Sequence, residues 1–193
     1  SLPTGMFEKM HCLMGMEDAM MSFYEEPEAA HELIQYLKEV ELKGAQEVCR
    51  HMKPTALFHP DDFGSTTSTF LSPEMFREFF LPAYQEIYDY WRSQGVELIV
   101  HHSDSYAANM VPNMIDMGID IWQGTIQENN IPAFLEQYGN RISYQGGINN
   151  SRFDKADFDS AEADQYILGL CRACGKYNFI PSLTQGGPRS VFP

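Results

Sequence analysis

No stretch of this 193-residue sequence approaches the roughly 20 consecutive apolar residues that a bilayer-spanning helix requires. No basic segment followed by an apolar run and a cleavage site opens it either. The expectation is a cytoplasmic protein without a membrane partner. Cysteine is scarce: Cys12, Cys49, Cys171 and Cys174 are the only four, too few and too unevenly spaced for a disulfide framework in a chain this long. Cationic side chains are scarce as well. The 13 Lys and Arg stand against 27 Asp and Glu, for a net charge of -14, which excludes a general attraction to phosphate polymers, so nucleic acid is not an expected partner. Also missing are a G-x-G-x-x-G fingerprint and a phosphate-loop lysine motif. No linker-like or low-complexity tract divides the chain, so residues 1–193 are taken as one domain. It opens on Ser1 rather than methionine and stops at Pro193, and a piece cut from a longer protein is expected.

What the sequence does contain is a repeated phrase of strand, polar turn and helix. Helical spacing runs over 15–24 and again from Pro27 to Lys53, where Leu33, Ile34, Leu37 and Val40 form a stripe and Pro27 suits a first turn. Thr55 to Phe58 is a short strand that stops at His59-Pro60-Asp61-Asp62. Ser72-Pro73-Glu74 opens a helix as cap, first-turn proline and early acid; it reaches Gly95, with a kink expected near Pro82. Strands follow over 96–100, 119–122, 141–145 and 177–180, with helices over 107–117, 131–138 and 160–175.

Five strands alternating with helices imply parallel pairing through crossover connections, hence an α/β fold. Alternation alone suits a (β/α)8 TIM-type barrel or an open doubly wound sheet. Polar and glycine-rich segments after nearly every strand, at 59–64, 101–106, 123–125, 146–150 and 182–187, favour the barrel, which builds its sites there. Since a whole barrel takes about 250 residues, the piece in hand is a truncated one.

The sharpest chemical feature is His101-His102-Ser103-Asp104. In an extended chain alternate residues share a face, so His102 and Asp104 point together and His101 and Ser103 point the other way. A histidine and a carboxylate so placed suit a divalent metal, or a base and its orienting partner. Asp62, and with it Asp61, is the natural third group at the mouth of the preceding strand. Hydrogen bonds that merely tie the loops together would use the same residues. Asp61-Asp62-Phe63-Gly64 sets two acids beside an aromatic wall, where a carboxyl can act as general acid. Gln123-Gly124 and Gln145-Gly146-Gly147 end two successive strands with an amide followed by glycine, letting the amide reach the mouth and the backbone come close to a ligand. Candidate ligand-binding residues are therefore Asp61, Phe63, Gln123, Gln145 and Gly147. The Cys171-x-x-Cys174 pair falls on a helical stripe with Tyr166, Ile167 and Leu170 and is read as packing, since no second such pair completes a zinc site. The aromatics from Phe76 to Trp91 are read as helix packing too. The methionines dense in 6–21 either fill a core or line an apolar mouth.

In order along the chain, Asp61-Asp62-Phe63-Gly64, the 71–79 segment beginning Leu71-Ser72-Pro73-Glu74, Ile99 to Asp104, Met117 to Trp122 and Tyr144-Gln145-Gly146-Gly147-Ile148 resemble the uroporphyrinogen decarboxylase superfamily. The resemblance implies a (β/α)8 barrel, of which this chain is the later part. It also implies one of two chemistries, tetrapyrrole decarboxylation or zinc-dependent methyl transfer serving corrinoid proteins. In the decarboxylase branch an early aspartate and a basic N-terminal segment hold the substrate; neither is in this chain. The methyltransferase branch places His-x-Cys where His102-Ser103-Asp104 stands, and a later cysteine where Ile180-Pro181-Ser182 stands. His102 alone carries over, with Asp104 in the thiolate position. The leading expectation is a corrinoid-dependent methyltransferase that demethylates a small O- or N-methyl compound. In it His102 and Asp104 bind zinc, His102, Asp62 and Asp104 carry the catalysis, and a partner protein supplies the corrinoid. A decarboxylase (carboxy-lyase) and a non-catalytic barrel that binds a ligand or a corrinoid protein are the alternatives, with a homodimer left open.

Overall fold

The computed structural model describes residues 4–183 other than Asp154 and Phe158. Three helices come first: α1 (Met6–Met14), α2 (Met16–Glu25) and the long α3 (Pro27–Met52), which ends where Lys53 turns left-handed ahead of Pro54. The inward stripe of α3 is Ala30, Ile34, Leu37, Glu41, Ala45 and Cys49. Val40, expected in that stripe, is 43% exposed, and its neighbour Glu41 is buried instead. A hydropathy pattern passes over a carboxyl on an apolar face, and Glu41 stays there because Lys9 reaches it at 2.6 Å. The segment from Met6, read only as methionine-rich, is helical because Asp61 accepts from the free backbone N–H groups of Phe7 and Glu8.

Strand β1 (Ala56–Pro60) leads to α4 (Pro73–Phe79) and α5 (Leu81–Ser93). These are the one helix expected from Ser72 onward. The Ser72 hydroxyl caps α4 by accepting from Met75 N–H, and the break falls at Phe80, with Pro82 in the first turn of α5, where its missing N–H costs nothing. Next come β2 (Leu98–His102), a short 3-10 turn at Ala108–Met110, α6 (Val111–Asp116) and β3 (Ile121–Thr125). After them come α7 (Ile131–Tyr138), β4 (Ser143–Ile148), the short α8 (Asn150–Phe153), α9 (Ser160–Cys174) and β5 (Phe179–Leu183). Cys171 and Cys174 are free thiols on α9. The polar segment expected after β5 lies largely outside the described residues.

All five strands are parallel, and their spatial order is β1-β2-β3-β4-β5. That order decides between the two α/β candidates: a doubly wound sheet reverses direction at a switch point, whereas a barrel wall adds each strand beside the last. The chain is an arc of a (β/α)8-type barrel. One sheet face is buried beneath the helices through Leu57, His59, Ile99, His101, Trp122 and Tyr144. The opposite face, which a closed barrel turns inward, leaves Phe58, Leu98 and Ile180 exposed.

The strands end two or three residues later than their apolar runs suggest. Val96, Ile119 and Ile142 are buried in the turns that enter the strands, while His101-His102, Gln123 to Thr125 and Gly146 to Ile148 continue the ladder. Parallel neighbours satisfy the backbone there whatever the side chain, so polar strand ends read as loop in sequence and are strand in space.

Candidate active site

Register builds the site. Pro60, His102, Gln123, Gln145 and Ile180 are successive Cα partners across the sheet and form one row on the uncovered face. His59, His101, Trp122, Tyr144 and Phe179 form the row behind them, against the helices. The alternation expected at 101–104 holds: His101 and Ser103 are fully buried, and His102 and Asp104 are half-buried on the open side.

Asp62, His102 and Asp104 converge, with one potential metal-ligating atom from each lying within 4.8 Å of the others. Asp62 Oδ1 accepts from the backbone N–H of Asp104 at 2.9 Å, locking the turn after β1 to the turn after β2. His102 Nδ1 lies 2.5 Å from Gln123 Oε1. An amide oxygen only accepts, so Nδ1 carries the proton and Nε2 keeps its lone pair. The imidazole also stacks on Phe58, centroids 5.8 Å apart. Gly124 has φ +89°, and a Cβ there would sit 3.0 Å from His102 Nδ1. Glycine follows Gln123 because the histidine ring occupies the space of a side chain.

A third acid, missed in the sequence, belongs to this neighbourhood. The carboxyl of Glu8, half-buried on α1, is pushed above the usual carboxylate range by burial and by the charges of Asp62 and Asp104, with His102 opposing. Asp104 is raised for matching reasons, burial first and then the charge of Asp62, again against His102. Three carboxyls around one imidazole repel one another, and a cation or shared protons would relieve them. The sequence signal was only the acid near the start of a short helix; the hydrogen bond from Glu8 N–H to Asp61 Oδ1, 2.9 Å, is what brings it here.

The other sequence candidates divide. Gln123 is at the site, holding His102. Gln145 stands next to it in the row, half-buried. Asp61 is not at the mouth. It is wholly buried, and its carboxylate receives the Phe7 N–H at 3.0 Å, the Glu8 N–H and the Tyr84 hydroxyl. Burial outweighs those three donors and raises its pKa to about 8. Phe63 is 3% exposed and packs between Phe76 and the His101 ring, both at 4.8 Å, so it is core rather than wall. Gly147 faces the helices: a Cβ there would meet Ile131 and Leu170. It borders a cavity of about 500 Å³ between α7 and α9, away from His102.

A parallel βα wall with an acid-and-histidine cluster at its strand ends is the arrangement of the barrel class, whose sites lie at the ends of the strands. The family is specific: the chain belongs to the uroporphyrinogen decarboxylase (URO-D) family, whose model matches residues 4–164. No curated protein matches the chain significantly. Among solved structures 21 chains match. One, a methyltransferase from Methanosarcina mazei, superposes with a TM-score of 0.72 at 15% identity over 96% of this chain and 53% of its own length. This chain thus spans about half of that protein, and the likeness is one of fold. Among the described residues no helix is long and apolar enough to cross a membrane.

Proposed function

We propose that the chain is the later part of a corrinoid-dependent methyltransferase that demethylates a small O- or N-methyl compound, with Asp62, His102 and Asp104 holding zinc. The convergence of those three donors is the observation that carries the reading. One nitrogen and two oxygens are an acceptable zinc donor set. Gln123 fixes the histidine tautomer as outer partners of metal-bound histidines do. The repulsion that raises Asp104 and Glu8 is the penalty a bound dication removes.

When bound, zinc would act as a Lewis acid on the heteroatom that loses the methyl group. The chain's own residues supply the rest. Gln123 and Phe58 hold the imidazole plane and the Asp104 N–H holds Asp62, and Glu8, whose carboxyl is raised by burial and then by the neighbouring acids, would give a proton to the leaving heteroatom. The oxygen donors make a harder site than two thiolates would, which favours a methyl ether or amine over a thiol. The acidic mouth opposes an octacarboxylate substrate, which places tetrapyrrole decarboxylation second. The corrinoid would arrive on a partner protein, and a cytoplasmic setting fits that chemistry.

The test uses the full-length protein. Stoichiometric zinc by metal analysis, lost in His102→Ala, together with methyl transfer from an O- or N-methyl donor to a cob(I)alamin-loaded partner, is the expected result. Metal-free protein that turns over uroporphyrinogen would overturn it.

A further inference from the structure

Beneath the site runs a file of buried polar groups, His101, Tyr88, His59 and Glu41, from four elements. His101 Nε2 is 3.1 Å from the carbonyl oxygen of Asp61. His101 Nδ1 is 3.0 Å from the Tyr88 hydroxyl, which is 3.1 Å from His59 Nδ1. His59 Nε2 is 3.3 Å from Glu41 Oε2, and Glu41 Oε1 receives Lys9 Nζ at 2.6 Å. His59 and His101 are wholly buried, Tyr88 is 1% exposed and Glu41 5%.

Counting protons along this file gives a result no single contact shows. Its four links each need one proton. Two neutral imidazoles and a phenol supply three. The Asp61 carbonyl only accepts, so His101 must donate from Nε2, and its Nδ1 must then accept from Tyr88. The Tyr88 oxygen in turn accepts from His59 Nδ1, which leaves His59 Nε2 as a bare lone pair facing Glu41 Oε2. Those two atoms are buried and, among the described residues, have no other hydrogen-bond partner. Two bare acceptors buried at that separation are untenable, whereas one proton between them satisfies both; it sits on the carboxyl, because an imidazolium and a carboxylate at this wholly buried contact would take two charges out of water.

We infer that Glu41 is a carboxylic acid in the native protein, donating from Oε2 to His59 Nε2, and that it acts as a positioning residue. It supplies the one proton the file lacks and closes it at the end opposite the Asp61 carbonyl. Asp61 is pinned there on two sides, since its own N–H donates to the His102 carbonyl at 3.0 Å. The residue so held directly precedes Asp62. The groups facing Glu41 and His59 agree with the assignment: burial raises the Glu41 carboxyl against the opposing pull of Lys9, and burial lowers His59, with the His101 and Lys9 charges adding to that effect. Tyr84, beside His59 and hydrogen-bonded to Asp61, completes the surroundings.

The consequence for Asp62 rests on the metal reading above; the proton assignment does not. Imidazole nitrogen NMR of the ¹⁵N-labelled full-length protein at neutral pH reads the assignment directly. Expected are a neutral His59 protonated at Nδ1 and a neutral His101 protonated at Nε2. Glu41→Gln, whose amide can donate to His59 and accept from Lys9, should keep both signatures and melt within about 2 °C of wild type. Glu41→Leu leaves His59 Nε2 bare and buried and should melt about 4 °C or more below wild type. A His59 protonated at Nε2, or a Glu41→Gln protein that melts as low as Glu41→Leu does, overturns the inference. If zinc binds, its affinity should fall at least tenfold in Glu41→Leu and hold in Glu41→Gln; an equal fall in both refutes the positioning role, whereas absence of zinc from the wild type refutes only the metal reading.

Discussion

The backbone N–H of Asp104 donates to Oδ1 of Asp62 at 2.9 Å, so two acids 42 positions apart are held side by side at neighbouring strand ends. The turn is stabilised by the contact that also creates the repulsion between the carboxyls. Metal affinity should therefore depend steeply on pH. Asp104 holds its proton above the usual carboxylate range, and that proton competes with an ion for the same oxygens. Zinc or cobalt titrations should show affinity rising from pH 5 to pH 7 by roughly tenfold or more. A flat profile would mean that Asp104 is not a donor.

The same repulsion should appear as stability in metal-free protein. Asp104 titrates higher in the folded state than unfolded, so its contribution is complete below the unfolded pKa and is lost as pH rises through the folded one. At pH 7 Asp104→Asn should raise the melting temperature by a few degrees, on the order of 1 kcal/mol, while abolishing metal binding. Thermal melts of the two proteins at pH 4 and pH 7 check this; the gain should be confined to pH 7.

Gln123 should matter to the site and little to the fold. Replacing it by Ala removes the acceptor that selects the His102 tautomer and should weaken metal binding about 10- to 100-fold with less than about 1 kcal/mol lost in stability. Gly124→Ala should disturb the fold as well as the site. Its φ of +89° and the 3.0 Å approach to His102 predict about 1–3 kcal/mol of destabilisation together with a displaced imidazole, readable as a shifted ring resonance.

Asp61 should behave as a structural residue. Asp61→Ala strands the buried N–H of Phe7 and the part-buried N–H of Glu8, at about 1–3 kcal/mol each, so denaturant melts should show a large loss. With a folded pKa of about 8 against 3.8, its stabilising contribution is present below about pH 4 and is lost as pH rises through about 8. Wild-type stability should slope downward over that window, and Asp61→Asn should flatten the slope.

Much of the site could be read in sequence because a strand end imposes period two. His102 and Asp104 fell on one face and His101 and Ser103 on the other by geometry alone. Asp62 followed because barrel loops gather at one end of the sheet. Asp61 and Phe63 could not be sorted the same way. They flank Asp62 with the same chemical types, and only the position of α1 shows that Asp61 has three donors to satisfy while Phe63 fills the space between Phe76 and His101. Glu8 and Glu41 escaped for a related reason: each is an ordinary helical acid until a partner 30 to 60 residues away gives it a role.

The sequence by itself determined the alternation of five strands with helices, the polar strand ends and the pairing of His102 with Asp104, because those depend on local period and on the few ways a chain can reverse. Tertiary structure alone decided that the strands lie in sequential order, that Gln123 meets His102, that Glu8 joins the acids and that Glu41 is buried against His59. These depend on register and on helix placement, which nonlocal packing sets and no local pattern encodes.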